Sequence, residues 1–231
     1  MSRGFLIAFT GIDGSGKTTQ AKLLVKALKQ SSPLYVWSRW EPFLLRPIIT
    51  LWKKNVKRNM INSDCGYHEI KSSKNKLLNN PVFRWLWLTF FFIDYGLQIF
   101  MKVRILLFRK RLVISDRISY DSIIDQAINL GNRQDFLLNN LNSFWMRILC
   151  PKPDIIIYID CPEDIAFLRK NDAPNIDYLK ERRALYLKLV DKYRWVKVDG
   201  TLSIIEVAPQ IKDKVCSKLG ISDVKSCDTR D

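Results

Sequence analysis

The sequence predicts an α/β domain, a three-layer sandwich in which a doubly wound parallel sheet of about five strands carries helices on both faces. Three observations lead there. Short apolar, β-rich runs alternate with longer stretches of helical character along the chain. One of those runs, Ile155-Ile156-Ile157-Tyr158-Ile159, is apolar without interruption, as a strand covered on both faces must be. A glycine-rich loop stands between the first apolar run and the first helical stretch, where a strand would hand over to a helix.

The elements follow in order. Phe5 to Thr10 is the first strand, and Thr18 to Gln30 the helix after the loop. Leu34 to Trp37 is a second strand. From residue 53 to 80 the chain turns polar, with Lys53, Lys54, Lys57, Arg58, Lys71, Lys74 and Lys76 against Asp64 and Glu69, which reads as an exposed basic excursion. Val82 to Met101 is rich in Trp and Phe. Arg84, Asp94 and Gln98 interrupt it, so it is expected to be a buried helix and not a membrane span, which needs about 20 largely apolar residues. Leu112 to Ser115, Ile155 to Ile159 and the weaker Trp195 to Val198 are further strands, with Leu179 to Val190 helical between the last two. Residues 218–231 form a polar tail. Nothing suggests a second core, so 1–231 reads as one domain.

Composition excludes several classes. The five cysteines are odd in number and contain no CxxC pair, which argues against a disulfide framework and a zinc site and fits a reducing, cytoplasmic location. The N-terminus lacks the apolar core and cleavage site of a signal peptide. The single histidine, His68, sits in a polar stretch without the convergent partners that histidine chemistry needs. Lys and Arg outnumber Asp and Glu by 38 to 23, giving a formal charge of +15 that favours phosphorylated partners. No RNA- or DNA-binding signature accompanies that charge, so nucleic acid is not the default partner.

The loop carries the chemistry. Gly11-Ile12-Asp13-Gly14-Ser15-Gly16-Lys17-Thr18 meets every fixed position of G-x-x-x-x-G-K-[ST], a pattern expected by chance in about one chain in a hundred of this length. Glycines let the backbone curl close and turn its N–H groups inward, and the following helix N-terminus, with Thr19, adds partial positive charge at the same spot. Polyphosphate, as in ATP, is the natural guest. Lys17 would then reach the β- and γ-phosphates and the Thr18 hydroxyl would ligate magnesium, the arrangement of a P-loop phosphotransferase.

From Gly11 to Gln20 the loop also resembles that of the thymidylate kinases. Arg39-Trp40-Glu41-Pro42 is similar to that family's Arg-Glu-Pro segment with one residue inserted, Leu112 to Arg117 to its third strand ending in Asp-Arg, and Gln126 to its Ala-Tyr-Gln glutamine. Pro153 to Glu163 is similar to its fourth strand and the turn after it. The resemblance implies a P-loop NTPase fold, nucleotide substrates, ATP with magnesium, and phosphorylation of a nucleoside monophosphate, with dTMP to dTDP leading; it leaves a homodimer open. It implies that Asp13 holds the acceptor's sugar hydroxyl, that Asp116 orients magnesium, and that Arg117 grips the acceptor phosphate. Arg39, Glu41, Asp94 and Gln126 are implied to line the acceptor site. Residues 166–186 correspond to the family's lid, where Arg169, Arg182 and Arg183 are the candidates for the cation that a loop with Gly14 lacks.

Three positions depart from the pattern: Tyr95 follows Asp94 where the family has arginine, Asp125 precedes Gln126 where it has tyrosine, and Ile118 follows Asp-Arg where it has tyrosine. Charge alone predicts that Tyr95 removes a charge-assisted bond to dTMP and that a buried Asp125 repels the nucleotide, reducing turnover of dTMP. A kinase of another small metabolite and a basic nucleic-acid-binding P-loop ATPase are the alternative readings.

Overall fold

In the computed structural model, residues 3–43, 46, 50, 78–131, 150–170 and 175–220 are described. The basic excursion at 53–80, apart from its last three residues, lies outside them, as do His68, residues 171–174 of the lid-like segment and residues 221–231 of the tail.

Five strands form one sheet in the order β2-β3-β1-β4-β5, each paired in parallel with its neighbours. They are β1 (Leu6–Thr10), β2 (Leu34–Trp37), β3 (Val113–Asp116), β4 (Ile155–Asp160) and β5 (Val196–Asp199). Among the described residues the main helices are α1 (Lys17–Ala27), α2 (Pro81–Ile99), α3 (Ser119–Leu130), α4 (Glu163–Arg169), α5 (Ile176–Tyr193) and α6 (Ile204–Leu219). A π-helical turn, Phe100–Arg104, prolongs α2 into a last helical turn, Ile105–Phe108.

The alternation of side chains along β1 divides the core. Ile7 and Phe9 pack with Ile114, Ile157 and Val198 against Ala21 and Leu24 of α1 and Val207 and Ile211 of α6. Leu6 and Ala8 face the other way, with Tyr158, onto Phe91 and Tyr95 of α2, Ile123 of α3 and Leu179 and Tyr186 of α5. The three layers predicted from sequence are therefore present, and β1 is fully buried because both its faces are covered. Local chemistry sets the helix ends: the Asn80 side chain accepts from Val82 and Phe83 N–H ahead of α2, and Ser203 and Glu206 form a capping box at α6. Gly220, in the left-handed region, ends α6, so the predicted polar tail starts inside a helix that runs to Leu219.

One expectation is corrected. The helix from residue 82 is not buried all round: Phe91, Asp94, Tyr95, Gly96 and Ile99 point inward, while Phe83, Leu86, Phe90, Ile93, Leu97 and Phe100 are between 41% and 53% exposed. A sequence apolar on both faces cannot by itself say which face meets the sheet. Among the described residues no helix is long and apolar enough to cross a membrane.

Candidate active site

The chain reaches β1 in the middle of the sheet and leaves it first for β2, then returns through β3 and crosses to β4 on the other side. A crevice opens at the carboxyl ends of strands where the order reverses in this way. The glycine-rich loop leaves β1 there, and Phe9 of β1 lies beside Asp116 at the end of β3.

Loop geometry depends on glycine at two points above all. Gly11 has φ of 148° and Gly14 φ of 86°, and a Cβ on Gly14 would stand 2.0 Å from the Ala166 carbonyl oxygen of α4. Helix α4 therefore leans on the loop at van der Waals distance. The N-terminus of α1 has no side-chain cap, which leaves its first amide groups for an anion.

Lys17 is buried and folds back to donate from Nζ to the Ile12 carbonyl at 2.7 Å, with Asp13 Oδ1 at 3.8 Å. Burial, and then the neighbouring Arg117, push its pKa down to about 8. Thr18 Oγ1 donates to Asp116 Oδ2 at 2.6 Å, and the Tyr35 hydroxyl donates to the same oxygen at 2.9 Å. Asp116 is fully buried, and its Oδ1 has no hydrogen-bond partner among the described residues; nor does Ser15 Oγ in the loop. A buried carboxylate oxygen left bare is costly unless something electropositive meets it. With the Thr18 hydroxyl beside it, this donor set of hard oxygens suits a hydrated magnesium ion.

Arg117 follows Asp116 with φ of 71°, a strained conformation for arginine, and its N–H donates to Phe9 O at 2.9 Å. Its guanidinium donates to Asp13 Oδ1 and lies 3.7 Å from Asp121 Oδ1. Burial alone would raise the Asp13 carboxyl, but Arg117, Lys17 and Arg39 together hold it well below the usual carboxylate range. Asp121 is buried too, and burial raises it despite Arg117 and a 2.6 Å bond from the Tyr186 hydroxyl.

Beside Asp13, Arg39 sits 3.9 Å from Asp13 Oδ2 and donates to Asp125 Oδ2 at 3.1 Å. Arg182 donates through Nε and Nη2 to Asp125 Oδ1, at 3.1 and 2.6 Å, and its guanidinium lies 3.5 Å over the Tyr178 ring. The charge that sequence assigned to Asp125 as a source of repulsion is thus matched on both oxygens by arginine, and that expectation is corrected. Tyr95 is also accounted for: its hydroxyl donates to Ser38 O at 2.8 Å, in the core beneath the site. Asp94 accepts from Trp40 Nε1 and Phe43 N–H, each at 3.0 Å, and Gln126 Oε1 accepts from Trp87 Nε1 at 2.9 Å. Trp40 meets Trp87 and Phe91 edge to face, with centroids 6.2 and 4.9 Å apart, giving this side of the site an aromatic wall. Glu41 contributes a backbone carbonyl that accepts from Gln98, while its side chain is exposed.

The lid candidates separate. Arg169 lines a cleft of about 800 Å³ together with the loop from Asp13 to Gln20, Arg117, Leu202 and Ile204, and donates to Gly200 O at 2.6 Å. Arg182 is buried on Asp125 as described. Arg183 pairs with Asp160 at 2.9 Å and Glu163 at 3.0 Å, and does not line the cleft. Sequence reasoning missed Tyr35, Asp121 and Tyr178, whose hydroxyl lies 3.5 Å from Asp13 Oδ2. No short motif contains them, because each meets its partner only through the sheet order or a helix packed over it.

The family model for thymidylate kinase matches residues 70–211. "Probable thymidylate kinase 1" of Saccharolobus solfataricus is 33% identical over 210 residues, covering 89% of this chain and 93% of that protein. The thymidylate kinase of Thermosipho africanus is 31% identical over 222 residues, covering 90% and 96%, and that of Kosmotoga olearia 27% over 216 residues, covering 89% and 92%. With a likeness running nearly the full length of both chains on a parallel sheet that ends in a phosphate loop, the chain belongs to the thymidylate kinase family.

Proposed function

We propose that 1–231 is one kinase domain that transfers the γ-phosphoryl group of ATP to a nucleoside monophosphate, converting dTMP to dTDP. The observation that carries this is the buried Asp116, with one oxygen bare and the other on Thr18, set beside the buried Lys17 at the start of a helix whose first amide groups have no side-chain cap. Acceptor identity draws on the names of the relatives. Thr18 and Asp116 would hold magnesium, whose charge would be shared by the β- and γ-phosphates.

In this reading a phosphate oxygen of dTMP attacks the γ-phosphorus and the bond to the β-phosphate oxygen breaks, so no general base is needed. Lys17 neutralises the β- and γ-phosphates, Arg117 and Arg39 hold the acceptor phosphate in line, and Asp13 takes the sugar hydroxyl. Arg169 is the lid cation, since it already lines the cleft. Adenine would lie on the apolar wall of Leu202, Ile204 and Val207. The test is ADP release over a panel of monophosphates, nucleosides and sugars. Saturable turnover with dTMP supports the proposal, and a flat panel, or ATP hydrolysis stimulated only by DNA or RNA, overturns it.

The Lys17 environment gives a pH dependence. A lysine whose folded pKa is lowered to about 8 is charged below that pH and sheds its proton as pH rises through it, whereas bound phosphate favours the ammonium. ATP binding therefore takes up a proton above about pH 8. Affinity for a non-hydrolysable ATP analogue, measured by calorimetry, is expected to hold steady near pH 7 and to weaken by up to about tenfold per unit above pH 8. A flat profile to about pH 9.5 contradicts it.

The protein is proposed to act in the cytoplasm as a homodimer. The exposed residues Phe83, Leu86, Phe90, Ile93, Leu97 and Phe100 follow one another at intervals of three and four, a seam that a second copy of the same helix would cover. Ile93→Asp is expected to halve the mass measured by sedimentation; a monomeric parent protein overturns the proposal.

A further inference from the structure

We propose that Tyr35 is a positioning residue of the metal–phosphate site, its hydroxyl fixing which oxygen of Asp116 faces the nucleotide. The inference rests on the function proposed above and adds to it a residue outside every motif of the chain.

The two oxygens of a carboxylate are chemically alike, and torsion about the last side-chain bond exchanges them with little preference of its own. Something must break that symmetry. At Asp116 both hydroxyl donors, Thr18 at 2.6 Å and Tyr35 at 2.9 Å, converge on Oδ2, and Oδ1 is left buried without a partner among the described residues. The Thr18 hydroxyl can donate to Oδ2 while its lone pairs meet a cation, but it turns freely about its own bond. The Tyr35 hydroxyl, at the end of a packed ring, adds a second and fixed donor on the same oxygen.

The sheet delivers it. β2 pairs with β3 in the register Tyr35 with Ile114 and Trp37 with Asp116, so Tyr35 lies one step back from the strand end, on the face that Ile114 and Asp116 share. Its ring runs along that face and packs with the core beneath α1, where Lys22 Nζ stands 6.0 Å from the ring centroid. From there the phenol oxygen reaches the carboxylate of the neighbouring strand. A phenylalanine would fill the same space against the same neighbours; only the bond to Asp116 needs the hydroxyl.

Tyr35→Phe isolates that bond and, because it keeps the ring, is expected to fold. The probe is Mn²⁺, followed by electron paramagnetic resonance in the presence of ADP, with ADP affinity in EDTA and thermal melting measured alongside. Removing a partner that orients a metal-binding carboxylate costs on the order of 10- to 100-fold in metal affinity. The expected result is an Mn²⁺ dissociation constant at least about tenfold weaker in the variant, with ADP binding in EDTA unchanged. The magnesium concentration for half-maximal turnover should rise in parallel. Mn²⁺ affinity within twofold of the parent overturns the role of Tyr35 and leaves the proposed function standing. A parent protein that binds no Mn²⁺ with ADP present overturns the proposed function itself. Equal losses of ADP affinity with and without metal, or a variant that does not fold, mean that Tyr35 serves packing and not position, which also overturns the inference.

Discussion

Lys17→Ala is expected to lower kcat for phosphoryl transfer by roughly a thousandfold, since loss of a single aimed donor at a developing charge costs about 10²- to 10³-fold and this one is a full cation. No neighbour can stand in. Arg117 is engaged with Asp13 and Asp121, and Arg169, the proposed lid cation, cannot at the same time take the place of an ammonium inside the loop. Lys17 Nζ donates to the Ile12 carbonyl, so its ammonium stands within the loop. Steady-state rates of ADP release check the result, with Lys17→Met as the control that preserves volume. Because burial lowers the pKa of Lys17, its charge is a net burden on the folded, unliganded protein, and the variants should melt no earlier than the parent. Activity within tenfold of the parent would remove the loop from the mechanism.

Arg117→Ala is expected to act through the acceptor and through stability together. The guanidinium lies between the half-buried carboxylate of Asp13 and the buried one of Asp121, and a planar fork in that position suits a phosphate arriving at the end of β3. Its loss should reduce kcat/KM for dTMP by about 10²- to 10³-fold while changing the KM for ATP much less. It also strands two acids. Breaking a buried pair from one side costs about 3 to 5 kcal/mol, so the variant should melt well below the parent at neutral pH. Arg117→Lys recovers charge but not the two-pronged geometry, and should restore stability more fully than acceptor binding. Unchanged kinetics in a folded variant would show that the acceptor phosphate lies elsewhere.

The departures at Tyr95 and Asp125 teach a related lesson. By residue type they argue against an acceptor carrying phosphate, because one lacks a cation and the other adds an anion. In the fold Tyr95 bonds a backbone carbonyl in the core, and Asp125 joins Arg39 to Arg182. The cost of a buried charge is set by its partners, which lie 86 and 57 residues away along the chain.

What the sequence determined by itself is local or periodic: the phosphate loop, whose glycines, lysine and threonine act within one turn of backbone; the five strands, legible as apolar runs; and Asp116-Arg117, marked by its place at a strand end. What only the tertiary structure decided is pairing across the chain. It chose Arg169 over Arg183 for the cleft, turned one apolar face of α2 outward, and set Tyr35 against Asp116 across 81 residues. Backbone conformation follows from a few neighbouring residues, whereas the partner of a buried charge or a bare helix face follows from strand order and packing, which no window of sequence contains.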